Sequence, residues 1–343
     1  MKNFLKLFIA LLIIISVIPC LSLINFKNLK SDSVASPTAS VYNGDTEQAK
    51  AQGKVAKGTA HKEDIKLYLC KEKKVVTLSA EEYIIGCLAA ETGNSDNLEA
   101  LKAQAVACYT YAVYCKENNS RKALNGAYLS DDSKTYQAYK STNTLKSELG
   151  NAYDEYMKNI ISAAEQVAGQ VITYDKKAIL AAYHSCNAGH TESCEDIWGK
   201  KLPYLQSVLS TPDTLCPKYR NKVTIKSSQI LSNLKKYYPT KKLNPHSDKI
   251  EILSATEHAT VKEISAFGAR FTGAQFRAAL KLNSANFKLK KSGSKYTFTV
   301  FGYGHSVGMS QQGAEYMAAQ GASYEEILKH YYSGVEIDYN YTV

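Results

Sequence analysis

The sequence contains no arginine-rich stripe, no internal repeat and only one tryptophan among its 343 residues. The formal net charge of +10 favours an anionic partner, but the lysines lie in short, scattered clusters such as 235–242 and 288–291. Nucleic acid is therefore not a predicted partner. The aromatic residue in excess is tyrosine, with 25 copies. Tyrosine suits the flat faces of sugars, but it also suits half-buried strands, and the count alone favours strands.

The glycine-rich segment 301–318 lacks the features of a phosphate-binding loop. It has neither the lysine of a P-loop nor the glycine spacing of a dinucleotide-binding turn. Its glycines surround His305 and are followed by Ser310 and Gln311. This pattern predicts either a backbone pressed close to a ligand, with polar side chains beside it, or a packed turn before a helix.

The sequence has one long apolar run, at residues 7–24, about 18 residues without charge and long enough to cross a bilayer. We predict an uncleaved membrane anchor at residues 1–25, with a cleaved secretory signal as the alternative. Residues 26–60, rich in Ser, Thr, Ala, Lys and Gly, are predicted to be a flexible linker. The protein is then a single-pass protein of the cell membrane whose large domain lies outside the cytoplasm.

Globular patterning begins near residue 64, and we expect an α+β domain over 61–343 made of helices and short antiparallel strands. Ser79 followed by Glu82 predicts a capping box at the start of a helix. Apolar residues at helical spacing predict a second helix after residues 94–96. The region at about 220–300 has a different texture, with short strands and two helices, which favours an inserted subdomain.

Glu91 lies between these two helices and follows two alanines. Apolar neighbours resist ionisation of a carboxyl group, raise its pKa and suit it to general acid catalysis. The alternative is a surface glutamate near a helix end, which position alone favours.

The segment 184–194 holds two histidines and two cysteines within eleven positions. Such a set is the composition of a tetrahedral structural zinc site, which keeps no position open for water. The predicted ligands are His184, Cys186, His190 and Cys194, and Cys216 could replace His184. The alternatives are a Cys194–Cys216 disulfide, which an external compartment permits, or free buried thiols.

Together, these segments resemble the stage II sporulation protein D family, whose domain also occurs in an amidase-enhancer protein of the cell wall. The resemblance covers nearly all of 64–343 in family order. It is carried by GCLAAETGNSDNLEALKAQAVACYTYA (86–112), DDSKTYQAY (131–139), YHSCNAGHTESCEDIWGKKLPYLQSV (183–208), FTGAQFRAALKLNSANF (271–287) and YGHSVGMSQQGAEYMAAQGASYEEILKHYYSG (303–334).

The resemblance implies a sporulation lytic transglycosylase that cleaves peptidoglycan between N-acetylmuramic acid and N-acetylglucosamine, with Glu91 as the catalytic acid. It implies a preference for glycan strands stripped of peptides, and partnership with an amidase and a membrane scaffold protein between mother cell and forespore. No cofactor is required for this chemistry, and any zinc is structural. The positions that match the family's motifs are expected to bind substrate; they are Gln137, His184, Ser185, Thr191, His305, Ser310 and Gln311.

The chain departs from the family pattern at three positions. Tyr109 stands where arginine is common, Ser306 where glycine is common and Gln312 where tryptophan is common.

The sequence offers a single strong candidate carboxylate, and this limits the reactions that it can catalyse, because hydrolysing glycosidases normally use two. A lytic transglycosylase needs only one, since the 6-hydroxyl of the muramic acid attacks its own anomeric carbon. The alternatives are a non-catalytic, wall-binding amidase enhancer and a zinc amidase.

Overall fold

The computed structural model describes residues 64–92, 95–118 and 124–342. The predicted anchor at 1–25 and the predicted linker at 26–60 lie outside these residues. All described residues fall in one compact unit. Within the described ranges, no helix combines the length and the apolar character that crossing a bilayer requires.

The described chain mixes helices with short strands, so the α+β prediction is confirmed. The helices are α1 (Ala80–Glu91), α2 (Leu98–Asn118), α3 (Thr142–Leu149), α4 (Tyr153–Val167), α5 (Cys194–Trp198), α6 (Ser227–Tyr237), α7 (Gly273–Leu280), α8 (Gln311–Ala319) and α9 (Tyr324–Tyr331). The strands are β1 (Ile65–Leu69), β2 (Lys74–Leu78), β3 (Leu129–Ser130), β4 (Val171–Tyr174), β5 (Lys177–Ala178), β6 (Tyr183–His184), β7 (Arg220–Lys226), β8 (Ile250–Ala255), β9 (Val261–Ala266), β10 (Ala269–Thr272), β11 (Phe287–Ser292), β12 (Lys295–Phe301), β13 (Met309–Ser310) and β14 (Glu336–Asp338).

The strands form five small sheets, in the orders β2-β1-β3, β10-β9-β8, β11-β12-β7, β13-β6 and β14-β4-β5. Most neighbours are antiparallel, as predicted. Two short pairs, β1 with β3 and β6 with β13, are parallel instead. The second of these pairs matters for the site because it fixes the glycine-rich segment beside His184, with Met309 opposite Tyr183.

Helix α1 begins where the sequence predicts. The Ser79 hydroxyl accepts the backbone N–H of Glu82, and the Glu82 carboxylate accepts the backbone N–H of Ser79. These two bonds satisfy donors that the first turn of a helix leaves free. Within α1, a Cβ at Gly86 would lie 2.2 Å from a ring carbon of Tyr139. Glycine therefore permits a close approach between α1 and the segment that carries Gln137.

Helix α2 is the centre of the domain and contacts α1, α4, α8 and α9. Its buried residues are mostly small, with alanines and cysteines such as Ala105 and Cys108 fully covered. Small side chains let several helices approach one axis, which brings the end of α1 and the start of α8 to the same side of α2.

The buried apolar residues form two separate clusters. The first draws on residues from Ile65 to Leu205 and from Val307 to Val335, so it joins the two ends of the described chain. The second lies between Ile230 and Val300 and contains several packed phenylalanines, among them Phe276 and Phe298. The expected insertion at about 220–300 stays a prediction, as do the other domain boundaries.

Candidate functional site

A cavity of about 250 Å³ lies where α1, α2 and α8 meet. Glu91 and Thr92 line it from the end of α1, Gln104 from α2, and Gln311 and Glu315 from α8. The loops between these helices also contribute to the lining, with Ser185, Cys216 and Lys218. A more open depression adjoins this cavity and shares Thr92 and Glu315 with it. The lining of the two adjoining concavities includes the carboxylates of Glu91 and Glu315.

Glu91 is the last residue of α1, and its carboxylate has one firm partner. The backbone N–H of Ala138 donates to Oε1 at 2.6 Å. Burial raises the pKa of Glu91, while the Ala138 N–H and the Tyr183 hydroxyl lower it by smaller amounts. The net direction is upward, which favours the protonated carboxyl that a general acid requires.

A chain of buried polar groups supports Glu91 from behind. The Tyr183 hydroxyl donates to Gln137 Oε1 at 3.0 Å, and Gln137 Nε2 donates to the Tyr83 hydroxyl and to the Cys108 carbonyl oxygen, the latter at 2.9 Å. Gln137 does not line the cavity, and its amide is engaged inside the protein. The amide of Gln137 is therefore bonded to Tyr183, Tyr83 and Cys108, and its expected contact with substrate stays a prediction.

Glu315 is a second carboxylate in the same cavity, which the sequence analysis missed. Ser95, from the segment between α1 and α2, donates its hydroxyl to Glu315 Oε1 at 2.5 Å. Burial is the main cause of a raised pKa at Glu315, and the charge of Asp96 adds to it. The cavity thus contains two acids that both hold their protons more tightly than a free glutamate.

A buried aspartate anchors the loop that forms one wall of the cavity. Asp213 Oδ1 accepts the Ser310 hydroxyl at 2.7 Å, and Oδ2 accepts the backbone N–H of Asn187 at 2.8 Å. Burial raises the pKa of Asp213 to about 6 against these bonds. The Ser310 hydroxyl also accepts the N–H of Gly313 and so caps α8. Ser310 is thus buried with its hydroxyl bonded inside the protein, and its expected contact with substrate stays a prediction.

The two motif histidines lie together and do not line the cavity. The rings of His184 and His305 are 5.8 Å apart, and the ring of Trp198, 44% exposed, lies 5.0 Å from that of His305. Burial lowers the pKa of His184 to about 3 and that of His305 to about 4. Both rings are therefore neutral at physiological pH and act as hydrogen-bonding groups.

The predicted zinc ligands do not come together. His184 Nδ1 lies 3.2 Å from the Val307 carbonyl oxygen, and Nε2 lies 3.3 Å from the Asn187 amide. His190 stacks on His258 with ring centres 4.4 Å apart. Cys194 packs in the first buried cluster. No group of three or more metal-binding side chains occurs within the described ranges. These residues do not fit a tetrahedral ion, because their side chains are held by separate partners.

The alternative disulfide is not present either, since Cys194 and Cys216 are both free thiols. Cys216 lies instead beside Cys186, whose pKa burial and the neighbouring Cys216 thiol raise. Thr191 is fully buried, and its hydroxyl accepts the backbone N–H of Val208 at 2.8 Å. It holds a loop together and does not face the cavity.

Of the residues expected from the sequence, Glu91, Ser185 and Gln311 line the cavity. Gln104 lines it as well but was not expected to. The sequence does contain a sign of this role, because position 104 lies three residues after Leu101 and four before Cys108, on the apolar face of α2. A polar residue on an apolar helix face requires a reason. Gln312, which departs from the family pattern, also lines the cavity.

The fold and the site define a class of α+β protein in which a half-buried carboxyl group with a raised pKa lies in a cavity between three helices. Residues 68–174 match the family model described as stage II sporulation protein. Over 337 residues the chain is 34% identical to stage II sporulation protein D of Bacillus subtilis (strain 168), which covers 98% of this chain and 96% of that protein.

Two further relatives share the domain. Stage II sporulation protein D of Bacillus amyloliquefaciens is 37% identical over 273 residues, or 80% of this chain and 78% of that protein. The amidase enhancer of Bacillus subtilis (strain 168) is 26% identical over 305 residues, or 74% of this chain and 40% of that protein. The chain belongs to the stage II sporulation protein D family, which confirms the resemblance read from the motifs.

Proposed function

We propose that this chain is a membrane-anchored lytic transglycosylase that cuts peptidoglycan glycan strands between N-acetylmuramic acid and N-acetylglucosamine during sporulation. The observation that carries the proposal is the raised pKa of Glu91 in a cavity large enough for part of a sugar. The membership of a sporulation family and the amidase-enhancer relative support a role at the cell wall. The proposed location is the space between mother cell and forespore.

The proposed reaction needs one carboxyl group. Glu91 donates its proton to the bridging oxygen as the bond from that oxygen to the anomeric carbon of muramic acid breaks. The 6-hydroxyl oxygen of the same sugar then bonds to the anomeric carbon, and its proton passes to the Glu91 carboxylate. The products are a 1,6-anhydro end and a free 4-hydroxyl, Glu91 regains its proton, and no water is consumed. The intramolecular nucleophile gains from proximity.

Tyr183 supports both roles of Glu91. Its hydroxyl has a single proton, which it donates to Gln137 Oε1 while Glu91 is protonated. When Glu91 has given up its proton, the same hydroxyl can turn toward the new carboxylate, consistent with the lowering of the Glu91 pKa by Tyr183. The tyrosine therefore stabilises the ionised form that must accept the proton of the 6-hydroxyl.

Hydrolysis of the same bond is a second candidate, and Glu315 is the observation that favours it. Hydrolysing glycosidases pair an acid with a carboxylate base or nucleophile. Burial and Asp96 raise the pKa of Glu315, and Ser95 holds one of its oxygens. Both features oppose the role of a free anionic base, so we favour the transglycosylase.

The deciding experiment is end-group analysis. Detergent-solubilised full-length protein is incubated with peptide-free glycan strands, and the products are analysed by mass spectrometry. Anhydro ends that persist in Glu315→Gln and vanish in Glu91→Gln support the proposal. Reducing ends that require Glu315 overturn it in favour of hydrolysis. Glu165→Gln, an exposed change on α4, is the matched control.

The proposed partners are peptide-free glycan strands, an amidase and a membrane scaffold protein of the same sporulation machinery. A non-catalytic enhancer would bind glycan without cutting it, and Glu91→Gln would leave sporulation intact. The proposal instead expects Glu91→Gln to block both strand cleavage and sporulation. No cofactor enters the proposed reaction.

A further inference from the structure

Two buried amide atoms beside Glu91 have no hydrogen-bond partner among the described residues. One is the acceptor Gln104 Oε1 and the other is the donor Gln311 Nε2. Gln104 is only 2% exposed, and both residues line the cavity that contains Glu91. A buried polar group without a partner is costly, and native proteins keep few of them. Two such atoms in one cavity indicate that a bound ligand supplies their hydrogen-bond partners.

Other contacts hold the Gln104 amide and the backbone at Gln311 in place. Gln104 Nε2 donates to Cys108 Sγ at 3.4 Å, which leaves Oε1 as the free end. Gln311 is the first residue of α8, directly after Ser310, whose hydroxyl is fixed by Asp213. Helices α2 and α8 pack against each other, so both glutamines extend from one packed pair of helices.

The chemistry of the pair selects its ligand. One unused acceptor and one unused donor complement the N–H and the C=O of a single secondary amide. A carboxylate offers only acceptors and an ammonium group only donors. We propose that Gln104 Oε1 accepts the N–H, and Gln311 Nε2 donates to the C=O, of the acetamido group on a sugar bound next to Glu91. This inference rests on the proposed function and assigns a specificity determinant to it.

The pair would make the site specific for N-acetylated sugars. A site built to hydrogen-bond a polar group rejects an analogue that lacks the group, because the protein's own polar atoms are then left unpaired. Sugars with a free amine or a hydroxyl at the same carbon are therefore expected to bind poorly.

The test is a binding comparison in which no cleavage can occur. Detergent-solubilised full-length Glu91→Gln protein is titrated calorimetrically with β-1,4-linked tetramers of N-acetylglucosamine, glucosamine and glucose. We expect the N-acetylated tetramer to bind roughly 10-fold or more tightly than either analogue. The glucose tetramer is uncharged, so it separates loss of the acetamido group from the charge of the free amine.

Further substitutions assign the preference to the pair. In the same background, Gln104→Met and Gln311→Met are expected to reduce the binding ratio to near one. Gln104→Met should leave the melting temperature nearly unchanged, because the lost bond from Nε2 to Cys108 Sγ is offset by removal of an oxygen that is buried without a partner. Gln166→Met, an exposed glutamine on α4, should leave both quantities unchanged.

An unchanged ratio in both variants, or no preference in the Glu91→Gln protein, overturns the inference. A lower melting temperature of Gln104→Met with an unchanged ratio also overturns it, since the two amides would then serve only the fold. The proposed reaction is judged separately by its products. If the protein prefers acetamido sugars but never cuts glycan strands, the proposed reaction is refuted and the inference about Gln104 and Gln311 stands. If the protein cuts strands without this preference, the reaction stands and the inference is refuted.

Discussion

Burial raises the pKa of the half-buried Glu91 and of the fully buried Glu192, yet only Glu91 lies in a cavity. Glu192 is 2% exposed, its Oε1 accepts the Thr256 hydroxyl at 2.8 Å, and its backbone N–H donates to the Ser306 carbonyl oxygen. It connects the loop after His190 to the β8–β9 turn. A raised pKa therefore does not identify an acid catalyst unless the carboxyl also faces space for a substrate.

The largest expected effect is the loss of cleavage in Glu91→Gln. Glutamine keeps an oxygen to accept the Ala138 N–H but has no proton to donate to the leaving oxygen. General acid catalysis contributes about 10²- to 10⁴-fold, so kcat/KM for peptide-free strands should fall by that order. Release of anhydro-muramic ends measures it.

The same variant should not be less stable than the original chain. Because the folded-state pKa of Glu91 is raised, its protonation contributes stability that is present below the unfolded pKa and is lost as pH rises through the folded pKa. Glutamine has no such loss, so thermal melting at pH 7 should occur at an equal or higher temperature. A large drop in melting temperature would instead assign Glu91 to the fold, like Glu192.

Asp213 extends the comparison to an acid that is fully buried beside the cavity. Burial raises its pKa to about 6 from 3.8, so the folded state retains a proton that the unfolded chain releases. Its contribution to stability therefore declines as pH rises between about 4 and 6, by up to about 3 kcal/mol.

In Asp213→Asn this pH dependence disappears, so the melting temperature of the variant relative to the original chain should rise from pH 4 to pH 6. Melting curves across that range measure the difference, with the exposed Glu165→Gln as the control. A constant difference across the range would contradict the raised pKa.

Glu192→Ala tests whether the carboxylate of Glu192 serves only the fold. Removal of the carboxylate leaves the Thr256 hydroxyl without its acceptor, which should cost about 1–3 kcal/mol of unfolding free energy. Chemical denaturation measures this loss. Cleavage per folded molecule should stay within a few-fold of the original value, because Glu192 does not line the cavity.

Glu192→Gln retains an acceptor for Thr256 and should recover most of the stability. A variant that loses cleavage while it stays folded would show that Glu192 takes part in the reaction and that the comparison is drawn wrongly.

Local signals predicted a good deal of this architecture. The capping box at Ser79 is made by residues three apart, and the position of Glu91 follows from where α1 ends. The zinc prediction relied on four residues close in sequence, but His190 stacks on His258 and Cys186 lies beside Cys216. Such partners come from distant segments, and the spacing within 184–194 carries no information about them.

The second carboxylate shows the same limit. Glu315 enters the cavity because α8 packs on α2, and its partner Ser95 lies 220 residues earlier in the chain. Its own helix gives no sign of this, since a glutamate on a short amphipathic helix usually faces solvent. Gln104 differs, because its place on the apolar face of α2 was visible in the sequence.

The smallest expected effect is a shift in pH dependence on Tyr183→Phe. The Tyr183 hydroxyl lowers the pKa of Glu91, so its removal should raise that pKa further. The fall of kcat/KM on the alkaline side follows the ionisation of Glu91 and should therefore move to higher pH. The rate at the optimum should fall by about fivefold, the effect expected from the loss of one hydrogen bond.

Tyr332→Phe is the matched control, since the buried hydroxyl of Tyr332 donates to the Ala182 carbonyl oxygen and not to Glu91. If both variants lose activity without moving the pH profile, Tyr183 only packs the core, and the separation of Glu91 from the other buried acids rests on the cavity alone.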